Sequence, residues 1–162
     1  MASNRHLGRI IALQTLYEQE FREDCHDAQF DLESVLERNI SRYASMVDDR
    51  TFIEDLVHGV DTKKAEIDAL LQPVAPEWPI DQIARMDRAV LRIGAYELLF
   101  GASIPPKVVI NEAVELAKSF GGDNSSKFIN GVLGTVLRQK EEASTKSSKK
   151  VTPKKLKKEV KK

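Results

Sequence analysis

With 162 residues, 41% of them hydrophobic and 31% charged, the chain suits one domain or a compact pair of helical subdomains. No apolar run approaches the ~18 residues of a membrane span, and the single Cys25 excludes an internal disulfide, in keeping with a reducing compartment. The formal net charge of zero conceals a division: residues 139–162 carry ten lysines against three glutamates, a surplus of seven that leaves an equal deficit on the rest. An acidic body excludes gripping duplex nucleic acid with a whole face, so any nucleic-acid site must be local or use the tail.

The start, Met1-Ala-Ser-Asn-Arg5, has no hydrophobic signal segment and predicts a cytoplasmic protein. From Arg5 to about Glu23, Leu7, Ile10, Ile11, Gln14, Leu16, Tyr17 and Phe21 recur at spacings of three and four, which predicts a helix with one apolar stripe. Arg5 and Arg9, four apart, share a face beside that stripe. A second, weaker helix is expected over Leu32–Met46, with Leu32, Val35, Leu36, Ile40 and Tyr43 inward. Asp48 or Asp49 then caps a third, whose stripe runs Phe52, Ile53, Leu56, Val57, Val60, Ala65, Ile67, Leu70 and Leu71. Gly59 within it permits close approach of another helix.

Pro73, Pro76 and Pro79 end that helix and make residues 72–79 the one clear internal linker, with Trp78 expected to plug the crevice between the halves. Asp81 and Asp87 read as successive N-caps, the second opening an amphipathic helix with Val90, Leu91, Gly94 and Leu98. Pro105-Pro106 bars its continuation past Gly101. Val108–Ile110 is β-branched, but Ile110, Ala113, Val114 and Ala117 keep the 3.6-residue period, so a helix is expected there, closed by Gly121-Gly122. Asp123-Asn124-Ser125 caps a last helix carrying Ile129, Val132, Leu133, Val136 and Leu137. The fold class is therefore all-α: two small helical bundles, residues 1–75 and 76–138, followed by a Lys/Ser/Thr-rich tail, 139–162, expected to be disordered.

Little in the chain suits catalysis. His6, His26 and His58 are scattered without metal-ligand spacing, so neither a metal nor another cofactor is expected. Cys25 stands among Glu23, Asp24 and Asp27, which disfavours a thiolate. No glycine loop ends in Gly-Lys-Ser/Thr, and Glu112 and Glu115 read as a solvated helix face. The segment from Lys118 to Phe128 is more informative. It sets a glycine turn before a helix start, with free N–H groups, small polar side chains and two lysines, Lys118 and Lys127. Such a terminus seats phosphate, Asn124 can read a base edge, and Phe128 can stack an unpaired base. It equally suits a plain helix connection with Asn124 or Ser125 as cap and Phe128 in the core. Likewise Arg5, His6 and Arg9 form either a solvated face or an anion seat, since two arginines oppose the helix dipole and an anion would offset that cost.

Three long stretches resemble the NusB family: Asp87–Leu99 (DRAVLRIGAYELL), Ile104–Gly121 (IPPKVVINEAVELAKSFG) and Lys127–Leu133 (KFINGVL), in order and at the family's usual spacing. Thinner matches are Arg5-x-x-x-Arg9, Ala12, Leu16-Tyr17 and Leu56-Val57-x-Gly59-Val60. The resemblance implies no enzyme. It implies an RNA-binding transcription antitermination factor that binds boxA RNA of ribosomal RNA leaders with ribosomal protein NusE and joins the elongating RNA polymerase complex. By position it assigns RNA contact to Arg5, His6, Arg9, Asn124 and Phe128, and NusE contact to Tyr17 and Asp87; Lys118 and Lys127 join the RNA candidates through the chemistry of the turn. Two departures stand out: His6 and Leu7 where the family often has arginine, and Asn124 where relatives can be acidic. The competing assignments are the RNA-binding module of a ribosomal RNA methyltransferase and a helical interaction protein without RNA. Monomer and homodimer are both open.

Overall fold

The structure, a computed structural model, describes residues 2–149 apart from 76 and 102. Among the described residues every regular element is helical: α1 (Ala2–Asp24), α2 (Leu32–Arg42), α3 (Arg50–Leu71), α4 (Arg85–Phe100), α5 (Pro106–Phe120) and α6 (Ser125–Lys149). Two 3-10 turns, Gln72–Val74 and Ile80–Gln82, carry the chain from α3 to α4.

Each start has a local cause. Asp31 caps α2 by accepting from the Ser34 N–H at 3.0 Å, and Asp49 caps α3 by accepting from the Phe52 N–H at 3.0 Å. Hydrogen bonds from the Ser34 hydroxyl and amide hold the Asp31 carboxyl below its ordinary range. Pro105 bars the continuation of α4, and Pro106 at the first position of α5 supplies a preset φ where no N–H is needed. α4 departs from expectation. Its cap is Ala84 without a side-chain bond, so Asp87 sits inside the first turn rather than at the cap, and Asp81 lies within the second 3-10 turn. An acidic group in the first turn still complements the dipole.

α4 is the central helix, buried without a break from Arg88 to Ala95. Around it Ile11 and Leu13 of α1, Ile53 and Ile67 of α3, Leu116 of α5 and Leu133 of α6 join one continuous core. Buried residues of all six helices thus belong to one interior. Gly59 on α3 lies under the Tyr96 ring of α4, where an added Cβ would fall 2.1 Å from the ring carbon Cζ. Close approach is therefore what this glycine provides.

Polar residues inside α4 are matched across helices. Arg92 clasps Asp68 of α3 at 2.8 and 2.9 Å and reaches Glu20 of α1 at 3.3 Å. Arg88 donates to Glu20 and to the carbonyls of Ile80, Asp81 and Ile83. This girdle holds the proline connection against the bundle, which explains why Trp78 is not required as a plug: it is 56% exposed. Other expectations shift too. Phe21 and Leu70 are exposed at 49% and 44%, and Ala65 also faces outward. α2 stops at Arg42, with Tyr43 as its C-cap. α6 runs past the boundary set at 138, to Lys149, so residues 139–149 are helical where disorder was expected; residues 150–162 lie outside the described residues.

Candidate nucleic-acid interface

The first turns of α1 place Arg5, His6 and Arg9 on neighbouring positions with three different fates. Arg9 is buried, 2% exposed, and its Nε and Nη2 grip the Glu97 carboxylate of α4 at 2.9 Å each. Glu97 is itself buried, so the pair is shielded from water. Shared-face spacing had put Arg9 at the surface beside Arg5; the stripe instead rotates it inward, against the single carboxylate on that stretch of α4. Its guanidinium is committed to the fold and is not an open phosphate contact. His6 is part-exposed, and its Nδ1 meets Glu112 Oε2 of α5 at 2.6 Å. The same carboxylate stands 3.8 Å from Arg9 Nη1. Glu112 is therefore no idle member of a solvated face: it ties α5 to the start of α1. Arg5 is exposed, pairs with no carboxylate among the described residues, and lies over the Phe52 ring at 5.0 Å, with Arg9 over the same ring at 5.2 Å. Stacked this way, its charge stays available while its stem is held.

The second cluster is the turn from α5 to α6. Gly121 donates to the Ala117 carbonyl at 2.8 Å, and Gly122 donates to the Ser125 hydroxyl at 2.8 Å. The glycine N–H groups expected to be free for phosphate are thus used by the turn itself, as is the Ser125 N–H, which donates to the Gly122 carbonyl at 3.1 Å. A Cβ at Gly121 would meet the Ala117 carbonyl at 2.7 Å and Ser125 at 2.6 Å, so the residue serves close approach; its φ of −91° is ordinary. Lys118, Asn124 and Lys127 are all exposed, Lys118 in a surface pair with Glu115 at 3.3 Å. Phe128 is half-buried and packs on the core, while also lining a groove with Lys127, Val74, Glu77 and Trp78. The core reading of Phe128 therefore holds for the buried part of the ring. The exposed indole of Trp78 was missed as a surface group; an aromatic among three prolines, with no periodic apolar partner, was the available signal.

α5 connects the clusters. Glu112 lies at its middle and Lys118 in its last turn, six residues on, about 9 Å along the axis. The described arrangement is two local clusters, one at the start of α1 and one at the α5–α6 turn.

On the other side of α1, Tyr17 and Phe21 lie under Arg85, whose guanidinium is 5.8 and 5.2 Å from their ring centres. Arg85 also bonds Asp24 at 2.6 Å, which holds that carboxyl below its ordinary range. Asp87, half-buried, follows two residues later. An exposed aromatic ring beside fixed charges is suited to a protein contact. Among the described residues no cluster of three metal-binding side chains occurs, and no helix is long and apolar enough to cross a membrane.

The described residues define an all-helical protein with exposed cations at the start of α1 and around the α5–α6 turn, and an exposed aromatic, Phe21, beside Arg85. Comparison with known proteins makes this specific. The NusB family matches residues 6–138. The transcription antitermination protein NusB of Chloroflexus aggregans is 43% identical over 85% of this chain and 89% of its own. That of Geobacter sulfurreducens is 42% identical over 82% and 92%. The solved NusB of T. maritima is 32% identical and superposes with a TM-score of 0.75 over 86% of this chain and 96% of that one. A solved complex of the antitermination factors NusB and NusE with dsRNA shares the fold at 24% identity and a TM-score of 0.74, covering 86% of this chain and 99% of that one. The chain belongs to the NusB family, whose members are transcription antitermination factors and not enzymes.

Proposed function

We propose that this protein binds single-stranded boxA RNA of ribosomal RNA leaders together with ribosomal protein NusE, in the cytoplasm, and joins the elongating RNA polymerase complex. What supports the reading is a set of exposed or part-exposed groups, Arg5 and His6 at the start of α1 and Lys118, Asn124, Lys127 and Phe128 around the α5–α6 turn, on a body otherwise acidic. Few phosphates can be neutralised by so small a set, so RNA binding by the protein alone is weak and salt-sensitive. A second protein on the Tyr17, Phe21 and Arg85 patch, with Asp87 at its border, supplies further contacts. Support comes from the solved relative that holds NusE and RNA together.

The test is a fluorescence-anisotropy titration of labelled boxA RNA at fixed salt, with and without NusE. Binding should tighten when NusE is added, and Tyr17→Ala should reduce that gain without changing the affinity of the protein alone. Equal affinity in both titrations contradicts the adaptor reading.

A further inference from the structure

The structure gives the His6 ring a fixed partner. Its Nδ1 lies 2.6 Å from Glu112 Oε2, and a carboxylate can only accept, so Nδ1 carries the hydrogen. The ring is part-exposed, with side-chain exposure of 35%, and Nε2 is the nitrogen left for a ligand. A neutral imidazole offers Nε2 as an acceptor, which repels a phosphate oxygen. An imidazolium offers it as a donor.

We propose that His6, positioned by Glu112, is a proton-linked phosphate contact, so that RNA binding by this protein takes up a proton at one histidine. The inference rests on the RNA-binding reading above. The charges around the ring support the linkage. Arg5 and Arg9 flank it on α1, Glu112 faces it from α5, and Glu97 on α4 absorbs Arg9. Asp49 and Asp55 of α3 line the groove next to Arg5. With Arg9 matched chiefly by Glu97, Glu112 is the carboxylate that faces His6. Arginine at this position would be a constant cation; histidine makes the contact conditional.

The test is the dissociation constant of a short labelled single-stranded boxA RNA measured at constant salt from about pH 6 to about pH 8, the interval in which histidine changes charge. For the full-length protein, affinity should fall as pH rises, at the steepest by about tenfold per pH unit for one linked proton. His6→Gln should flatten the curve near its high-pH level, and His6→Arg should flatten it near its low-pH level. Glu112→Gln, at a site where the carboxylate is part-exposed, should displace the curve to lower pH, because the imidazolium loses its counter-charge. His58→Gln is the control, since His58 pairs with Glu33 on the α2–α3 side of the molecule; it should leave the curve intact. A pH dependence that persists in His6→Gln overturns the proposal, as does a flat curve in the unaltered protein that still binds RNA. Absence of RNA binding at every pH, with NusE present, would instead sink the RNA reading on which it rests.

Discussion

Arg9 and Arg5 stand one helical turn apart, yet they belong to different regions of the molecule. Arg9, Arg88 and Arg92 form an internal girdle in which each guanidinium is matched to Glu97, Glu20 or Asp68 and shielded from water. Arg5, Lys118 and Lys127 are exposed, and among the described residues only Lys118 of the three makes an ion pair, with Glu115. Both regions carry cations, and Arg5 and Arg9 are the same residue type; carboxylate placement on the facing helix decides which cation is structural and which can be lent to a ligand. The lesson is that counting arginines at the start of α1 overstates the binding surface, since Arg9 is committed to Glu97.

The sharpest way to break this contrast is to remove a carboxylate from the girdle. Glu97→Gln leaves Arg9 buried without its charge partner and should cost about 3–5 kcal/mol of stability, read as a large drop in Tm or in the urea midpoint. A loss of RNA affinity in an Arg9 variant would then track unfolding. If Arg9→Met folds normally yet binds RNA much more weakly, Arg9 belongs with the exposed cations after all. Next in size is Phe128→Ala. The ring is half-buried on the core, so truncation should cost about 2 kcal/mol of stability, less than the ~3–5 of a fully buried ring. It should also weaken RNA binding by about 1–3 kcal/mol if a base stacks on the exposed part. A stable variant with unchanged affinity would remove Phe128 from both regions.

Smaller effects sharpen the exposed region itself. Asn124 stands directly before α6, so Asn124→Asp should keep or raise Tm through the cap and the dipole, worth about 0.3–1 kcal/mol. RNA affinity should fall in the same variant, because a carboxylate then faces the incoming phosphates. The smallest effect on folding is expected at the C-terminus. Residues 141–148 are exposed along α6, and truncation after Lys149 removes seven lysines. Tm should hold, whereas the slope of log K against log salt should flatten by about 0.7 for each lysine engaged on RNA. Preference for boxA over scrambled RNA should survive; its loss would place sequence reading in the lysines.

Periodicity was enough to find the helices, because each buries one stripe: Ile53, Leu56, Val57, Val60 and Ile67 are all in the core as their spacing predicts. The errors fall where a side chain's fate depends on a distant helix. Nothing local distinguishes Arg9 from Arg5, since Glu97 lies 88 positions away. Phe21 and Trp78 looked like core because aromatics usually bury area, but Arg85 and the proline connection hold them outside. Lysine repulsion argued for a tail starting at 139, yet α6 continues because Lys140 still donates to the Leu98 carbonyl and few helix-breaking residues follow before Lys149. The turn at Gly121-Gly122 was legible as a turn; that Ser125 would consume one of its N–H groups was not.

The central claim is that RNA contacts the two exposed clusters and not the girdle or the outer part of α6. Amide chemical-shift mapping of the labelled protein with boxA RNA, in the presence of unlabelled NusE, tests it directly. Shifts that depend on RNA should cluster at residues 4–8, around Lys118 and from Asn124 to Phe128, with those that depend on NusE alone near Tyr17 and Asp87. RNA-dependent shifts confined to residues 141–149, or centred on the Phe100 and Lys63 side of the molecule, would contradict the account.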